Sequence, residues 1–176
     1  MIFLDMDGVL VDFSGYAFRL FGMQKPDKFD YGLGKYFGFQ WYDAPFEWDK
    51  MEPTKFGLQL FKDCCAVTPN VWILTCPFYG KGMERCIRGK RKWVRKHLGN
   101  REVPYITFTT YKWCCARPGS VLIDDCEDHI DAFVEIGGSG ILIPEGHNKL
   151  AGKEVVCPES LIKHCLQNPC KEYAIK

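Results

Sequence analysis

Apolar positions fall in short, compact runs separated by long polar or mixed stretches. Residues 1–4, 71–74, 105–108, 121–123 and 141–143 are each rich in β-branched, aromatic or aliphatic side chains. That is the pattern of short buried strands. Between them the period lengthens to that of amphipathic helices, over 81–98 and 127–136, ending at Gly99 and at Gly137-Gly138. Glycine just past the last periodic residue is a helix stop signal. Strands alternating with helices predict an α/β fold, a parallel sheet with helices on its faces.

The stretch 13–68 breaks this rhythm. It is too long for a plain crossover between the first two strands. It carries glycines, prolines and many aromatics, among them Tyr16, Phe18, Phe29, Tyr31, Phe37, Trp41, Tyr42, Phe46 and Trp48. It reads as a mostly helical insertion, with Ser14 placed to cap a helix running to Leu20 and Thr54 one running to Cys64. The chain then divides into a core of 1–12 and 69–176 and a helical cap of 13–68. A last helix is expected over 159–167, and no chemistry is assigned to this tail.

At 176 residues the chain suits one domain, or one domain with an insertion. A net charge of +1 gives no electrostatic footprint for nucleic acid or an anionic membrane. No apolar run reaches bilayer length. Asp5 interrupts the apolar start, so no secretory leader is read, and a cytoplasmic protein is expected. The ten cysteines form no CxxC pair and no His/Cys zinc spacing. Reduced thiols in a reducing compartment are the expectation.

The polar residues at the strand ends carry the candidate chemistry. The first strand runs into Asp5-Met6-Asp7-Gly8, the second into Thr75-Cys76, the third into Thr109-Thr110 with Lys112 beyond, and the fourth into Asp124-Asp125. In a parallel sheet these ends share one edge, where open α/β sheets bind ligands. Carboxylates, a hydroxyl and an ammonium converging there suit phosphoryl transfer. Asp5 is a candidate nucleophile toward phosphorus, and Asp7 can donate and later accept a proton. Asp5, Asp7, Asp124 and Asp125 repel one another and a phosphate, which a hard cation such as Mg²⁺ would relieve. Thr75 can hydrogen-bond a phosphate oxygen and Lys112 can neutralise it. Lys90 falls on the apolar stripe of Met83, Cys86, Ile87, Trp93, Val94, His97 and Leu98, a position read as snorkelling or as reaching a phosphate. His129 is read as a helix-surface residue in preference to one hydrogen-bonding near Asp125, and His147-Asn148 as lying either near the active edge or in a turn.

This arrangement resembles the haloacid dehalogenase-like phosphohydrolases. Asp5-Met6-Asp7-Gly8 matches their first motif, Ile73-Leu74-Thr75 their second, Lys112 their third-motif lysine, and Asp124-Asp125 their acidic pair. The resemblance implies a Rossmann-like three-layer core with a small helical cap after the first strand. It also implies an aspartyl-phosphate on Asp5, Asp7 as acid and base, and Mg²⁺ held by Asp5, Asp7, Asp124 and Asp125. Asp5 to Phe13, Leu74 to Pro77, Lys90 to Gly99 and Leu122 to Asp125 are similar to the 5′(3′)-deoxyribonucleotidases. That likeness implies a phosphate bound by Thr75, Cys76, Lys90 and Lys112, and a base pocket at Phe13 with Trp41 and Tyr42 beside it. The implied partner is a small nucleoside monophosphate, with no stable nucleic-acid partner and no membrane; a homodimer is compatible with it. Other readings are a different small phosphomonoester, a nucleic-acid 3′-phosphate end, or a non-catalytic nucleotide-binding regulator. Two departures bear on substrate preference: the family often has Leu-Thr-Ser-Pro where Cys76 stands here, and Thr-Arg-Asp-Lys where this chain has Thr109-Thr110-Tyr111-Lys112.

Overall fold

A computed structural model describes residues 1–38, 44–78, 82–99 and 105–175. Six strands form one all-parallel sheet: β1 (Ile2–Leu4), β2 (Val71–Thr75), β3 (Tyr105–Phe108), β4 (Val121–Asp124), β5 (Ser139–Leu142) and β6 (Lys171–Tyr173). Their order is β3-β2-β1-β4-β5-β6. Six α-helices are described: α1 (Phe13–Leu20), α2 (Gly34–Phe37), α3 (Gly57–Val67), α4 (Met83–Leu98), α5 (Glu127–Glu135) and α6 (Glu159–Gln167). Short 3₁₀ turns cover Trp48–Lys50 and Lys112–Cys115. No described helix is long and apolar enough to cross a membrane.

Alternation along the strands sorts the core into two faces. Ile2, Leu4, Ile73, Val121 and Ile123 pack with Leu60 and Cys64 of α3, Trp93 and Val94 of α4, and Ile162 and Cys165 of α6. Phe3, Leu74, Leu122 and Leu142 point the other way, against Ile130 and Phe133 of α5. The result is the expected helix–sheet–helix sandwich. In register, Leu4 lies opposite Ile73 on one side and Ile123 on the other. This levels the carboxyl ends of the three central strands, and the Asp5 N–H donates to the Ile123 carbonyl at 2.9 Å.

Several local expectations change. β6 was not legible, because Lys171-Glu172-Tyr173 has no apolar run and lies half-buried at the sheet edge. β5 begins at Ser139, since Gly140 lets the strand approach α5; a Cβ there would lie 2.6 Å from Ile130 Cγ2. Asp12, not Ser14, caps α1 by accepting the Gly15 N–H at 3.0 Å. Thr54 caps no helix; its hydroxyl donates to the Val9 carbonyl at 2.6 Å and ties the segment before α3 to the turn after β1.

The segment between β1 and β2 packs closely on α4. Gly89 faces Trp48, and a Cβ at 89 would lie 2.5 Å from Trp48 Cβ. Beside it Trp93 is fully buried and donates from Nε1 to the Met51 carbonyl at 2.7 Å. Gly89→Ala gains about 1 kcal/mol of helix propensity. The obstructing atom is the stem of a buried indole that cannot swing away, and overpacking of this kind costs about 1–3 kcal/mol. The expected outcome is net destabilisation, read as a lower midpoint in urea unfolding.

Candidate functional site

β1 ends at Leu4, and the chain turns at once. The Leu10 and Val11 N–H groups both donate to the Met6 carbonyl, and Gly8 donates to the Val11 carbonyl. Gly8 has φ of 79°, and a Cβ on it would fall 1.9 Å from Asp125 Oδ2. Only glycine lets the first turn close over the end of β4. This brings ligand atoms of Asp5, Asp124 and Asp125 within 4.8 Å of one another, all three residues buried.

Two lysines reach this carboxylate group from opposite sides. Lys112 opens the 3₁₀ turn after β3 and is 1 % exposed; its Nζ lies 2.7 Å from Asp5 Oδ1 and donates to Asp124 Oδ2 at 2.7 Å. Lys90 comes from the buried stripe of α4. Its Nζ donates to Asp7 Oδ2 (2.6 Å), Thr75 Oγ1 (2.8 Å) and the Cys76 carbonyl (2.8 Å), and sits 5.4 Å from the centroid of the Trp48 ring. Its three donors are therefore engaged, and the snorkelling alternative does not hold. Asp7 Oδ1 is left buried with no hydrogen-bond partner among the described residues. Burial opposes both ammonium charges, but Asp7 at Lys90 and Asp124 and Asp5 at Lys112 outweigh it, so both pKa values are raised.

The carboxylates differ in the same way. Burial pushes Asp5 up to about 6, with Lys112 pulling down and Asp124 and Asp7 pushing up. Asp124 is equally buried, but Lys112 and His129 outweigh burial and hold it well below the usual range. Asp125 is raised well above that range by burial and by Asp124, Asp5 and Glu145. The cationic candidate beside it is His147, 3.7 Å from Asp125 Oδ2, whose pKa burial lowers. Among the described residues an anionic Asp125 thus has no charged partner of its own, and a divalent cation with oxygen ligands fits that lack.

The structure resolves the two histidine readings. His129, expected on the surface, sits in the first turn of α5 and turns back over the strand ends, with Nδ1 3.3 Å from Asp124 Oδ2 and Nε2 4.0 Å from Cys76 Sγ. Burial opposes its charge, but Asp124 with Cys126 and Cys76 pushes the imidazole up to about 12. The sequence signal was its place early in the helix that follows Asp124-Asp125. His147 approaches the active edge, with Nε2 3.2 Å from the Asp125 carbonyl, to which Asn148 Nδ2 donates at 2.8 Å.

An open cleft of about 230 Å³ lies over these groups, room for a small ligand. One wall is polar (Asp5, Asp7, Asp125, His129), the other is built by Phe13, Phe29, Tyr31 and Leu33. Phe13, a sequence candidate, is stacked on Trp48 at 5.4 Å and 7°. Phe29, Tyr31 and Leu33 were not singled out, since nothing in their spacing separates a cavity wall from a core. Ser14 also lines the cleft, and its buried hydroxyl has no hydrogen-bond partner among the described residues. Cys76 lines it too, while Thr75, Lys90 and Lys112 lie behind the carboxylates, each at most 1 % exposed. The Thr109 N–H donates to the Thr75 carbonyl at 3.0 Å, so this threonine joins β3 to β2. Trp41 and Tyr42 lie outside the described residues.

The fold and site define a parallel α/β protein with a buried acidic triad able to hold a metal ion at the carboxyl edge of its sheet. No protein-family model matches the chain, and no curated protein matches it.

Raised carboxyl pKa values have a definite consequence for stability. Without metal, the stability contributed by protonated Asp5 and Asp125 is complete below the usual carboxyl range of about 4. It is lost for Asp5 as pH rises through about 6, and for Asp125 as pH rises through its own raised value. A divalent cation binds the deprotonated forms, so protons compete with it. Added Mg²⁺ should therefore raise Tm more at about pH 7.5 than at about pH 5. Equal shifts at both values, measured by thermal unfolding, would contradict a metal at these carboxylates.

Proposed function

We propose that the chain is a Mg²⁺-dependent phosphomonoesterase of the haloacid dehalogenase type, hydrolysing nucleoside monophosphates, with deoxyribonucleotides the first candidates. One observation carries the reading. Asp5 stands beside Lys112 and within 4.8 Å of two further carboxylates. Two residues on, Asp7 is held through Oδ2 by Lys90 while its Oδ1 has no partner among the described residues. A site that only bound a cation would need neither the second aspartate nor its lysine.

In this mechanism an Asp5 carboxylate oxygen attacks phosphorus and the bond from phosphorus to the leaving oxygen breaks. Asp7, through Oδ1, gives that oxygen its proton, releasing an alcohol and leaving an aspartyl-phosphate. Asp7 then takes a proton from water, whose oxygen attacks phosphorus. The bond to Asp5 breaks, releasing phosphate and restoring the carboxylate. Asp5, Asp124, Asp125 and the Asp7 backbone carbonyl would hold Mg²⁺, which supplies charge neutralisation for the phosphoryl oxygens. Lys112 lies between Asp5 and Asp124 and keeps both anionic side chains in place. The Cys76 backbone N–H faces the phosphate in this scheme, and Lys90 and Thr75 act from behind by fixing Asp7.

Phe13, Phe29 and Tyr31 all come from 13–68, which supports reading that segment as the cap that presents an apolar wall to the substrate. A nucleobase meets that wall through its π face. The test is phosphate release from nucleoside 5′- and 3′-monophosphates, sugar phosphates and 3′-phosphorylated oligonucleotides, with Mg²⁺ and with EDTA. Nucleotide turnover should need Mg²⁺ and fall to background in Asp5→Asn, which keeps the fold. Turnover retained by that variant overturns the mechanism, and turnover confined to sugar phosphates overturns the substrate. Phe13→Ala should raise KM for nucleotides by the equivalent of about 1–3 kcal/mol, with a smaller effect on kcat.

A further inference from the structure

A second group of metal-binding side chains lies where α6 returns to the sheet. His164 stands near the end of α6, and Cys170 and Glu172 flank Lys171 at the start of β6. Alternation along the strand sends Cys170 and Glu172 to one face. That is the face α6 covers, since Cys170 packs in the cluster that holds Ile162 and Cys165. As a result one ligand atom from each of His164, Cys170 and Glu172 lies within 4.8 Å of the others. A second thiol adjoins them: the Cys170 and Cys165 sulfurs are 3.3 Å apart. His164 is exposed and Cys170 and Glu172 are half-buried, so an ion has a path from solvent, while Cys165 beneath them is 1 % exposed.

We propose that His164, Cys170 and Glu172 form a Zn²⁺-class site, with Cys165 as its fourth ligand. An imidazole nitrogen, a carboxylate oxygen and two sulfurs are the donor types of tetrahedral zinc. They are a poor set for Mg²⁺ or Ca²⁺, which take oxygen. Zn–S bonds of about 2.3 Å place two thiolates of a tetrahedral ion roughly 3.7 Å apart, close to the present sulfur separation. His164, Cys170 and Glu172 already stand within 4.8 Å of one another, and Cys165 joins them through its close approach to Cys170. Binding removes the two thiol protons to solvent and ties α6 to the edge strand β6. Cys170 precedes β6, so the site lies toward the amino end of the sheet, away from Asp5 and Asp124. It is independent of the phosphatase reading.

The experiment is a Co²⁺ titration of the full chain, reduced with a non-chelating phosphine, in excess Mg²⁺. The expected result is one Co²⁺ per chain with sulfur-to-metal charge-transfer absorption and the strong visible bands of a four-coordinate ion, displaced by Zn²⁺. Cys170→Ser should cut the charge-transfer band to that of the single Cys165 thiolate or less, and His164→Ala should weaken Co²⁺ binding at least tenfold. Asp124→Asn, in the other cluster, should leave the band intact. His164 is exposed, so its variant keeps the test decisive even where Cys170→Ser fails to fold. Three results overturn the site: no sulfur-to-metal band, a band unmoved by both variants, or a Cys165–Cys170 disulfide in untreated protein with no metal uptake after reduction.

Discussion

Everything at the carboxyl edge of this sheet depends on cancelling buried negative charge. Removing a carboxylate from water costs several kcal/mol unless an opposite charge is brought in with it. Asp5, Asp124 and Asp125 are all less than a tenth exposed. The counter-charges arrive from parts of the chain that the sheet alone would not order. Lys112 needs the 3₁₀ turn after β3 to point back, and Lys90 needs α4 to bury a lysine on its apolar stripe. Their pairings at 2.6 to 2.8 Å place β1, β2, β4, α4 and the turn after β3 around one electrostatic centre. The imbalance left at Asp125 is one that a bound cation could relieve.

Much of this was legible in the sequence, for definable reasons. A parallel sheet levels its strand ends, so polar residues after Leu4, Leu74, Phe108 and Ile123 had to meet. Lys90 was legible because a charge at a core position of a helix violates the pattern around it. Less legible features depend on tertiary approach. β6 has no apolar signature, since an edge strand with its side chains half-exposed needs none. The cap of α1 moved from Ser14 to Asp12 because the turn at Gly8 fixes where the helix can start. His129 was misread because one turn of α5 looks like surface until the helix is laid on β4. The donors around Cys170 come from a helix and an edge strand, so no linear spacing announces them.

The cleft owes its two characters to two sources. The sheet edge supplies the charged wall through residues that immediately follow strands, so backbone pairing fixes their placement. The segment between β1 and β2 supplies the apolar wall through Phe13, Phe29, Tyr31 and Leu33, whose placement depends on packing within that segment. Phe18 contacts Phe29 and Phe37 edge-on at 5.7 and 5.3 Å, and Phe21 stacks on Phe37 at 4.2 Å. This aromatic cluster stands behind the wall and gives it rigidity. The charged and apolar walls thus rest on separate structural supports.

Trp48 is where those supports touch. Phe13 stacks on its ring, Lys90 is held at cation–π distance from the same ring, and Gly89 fixes its stem against α4. The indole therefore works as a mechanical linkage: one lever arm ends in the cleft and the other in the lysine that grips Asp7. Displacing that ring would disturb the packing of Phe13 and the seat of Lys90 together. The apolar wall and the lysine–carboxylate group, though built from different parts of the chain, are joined through one side chain.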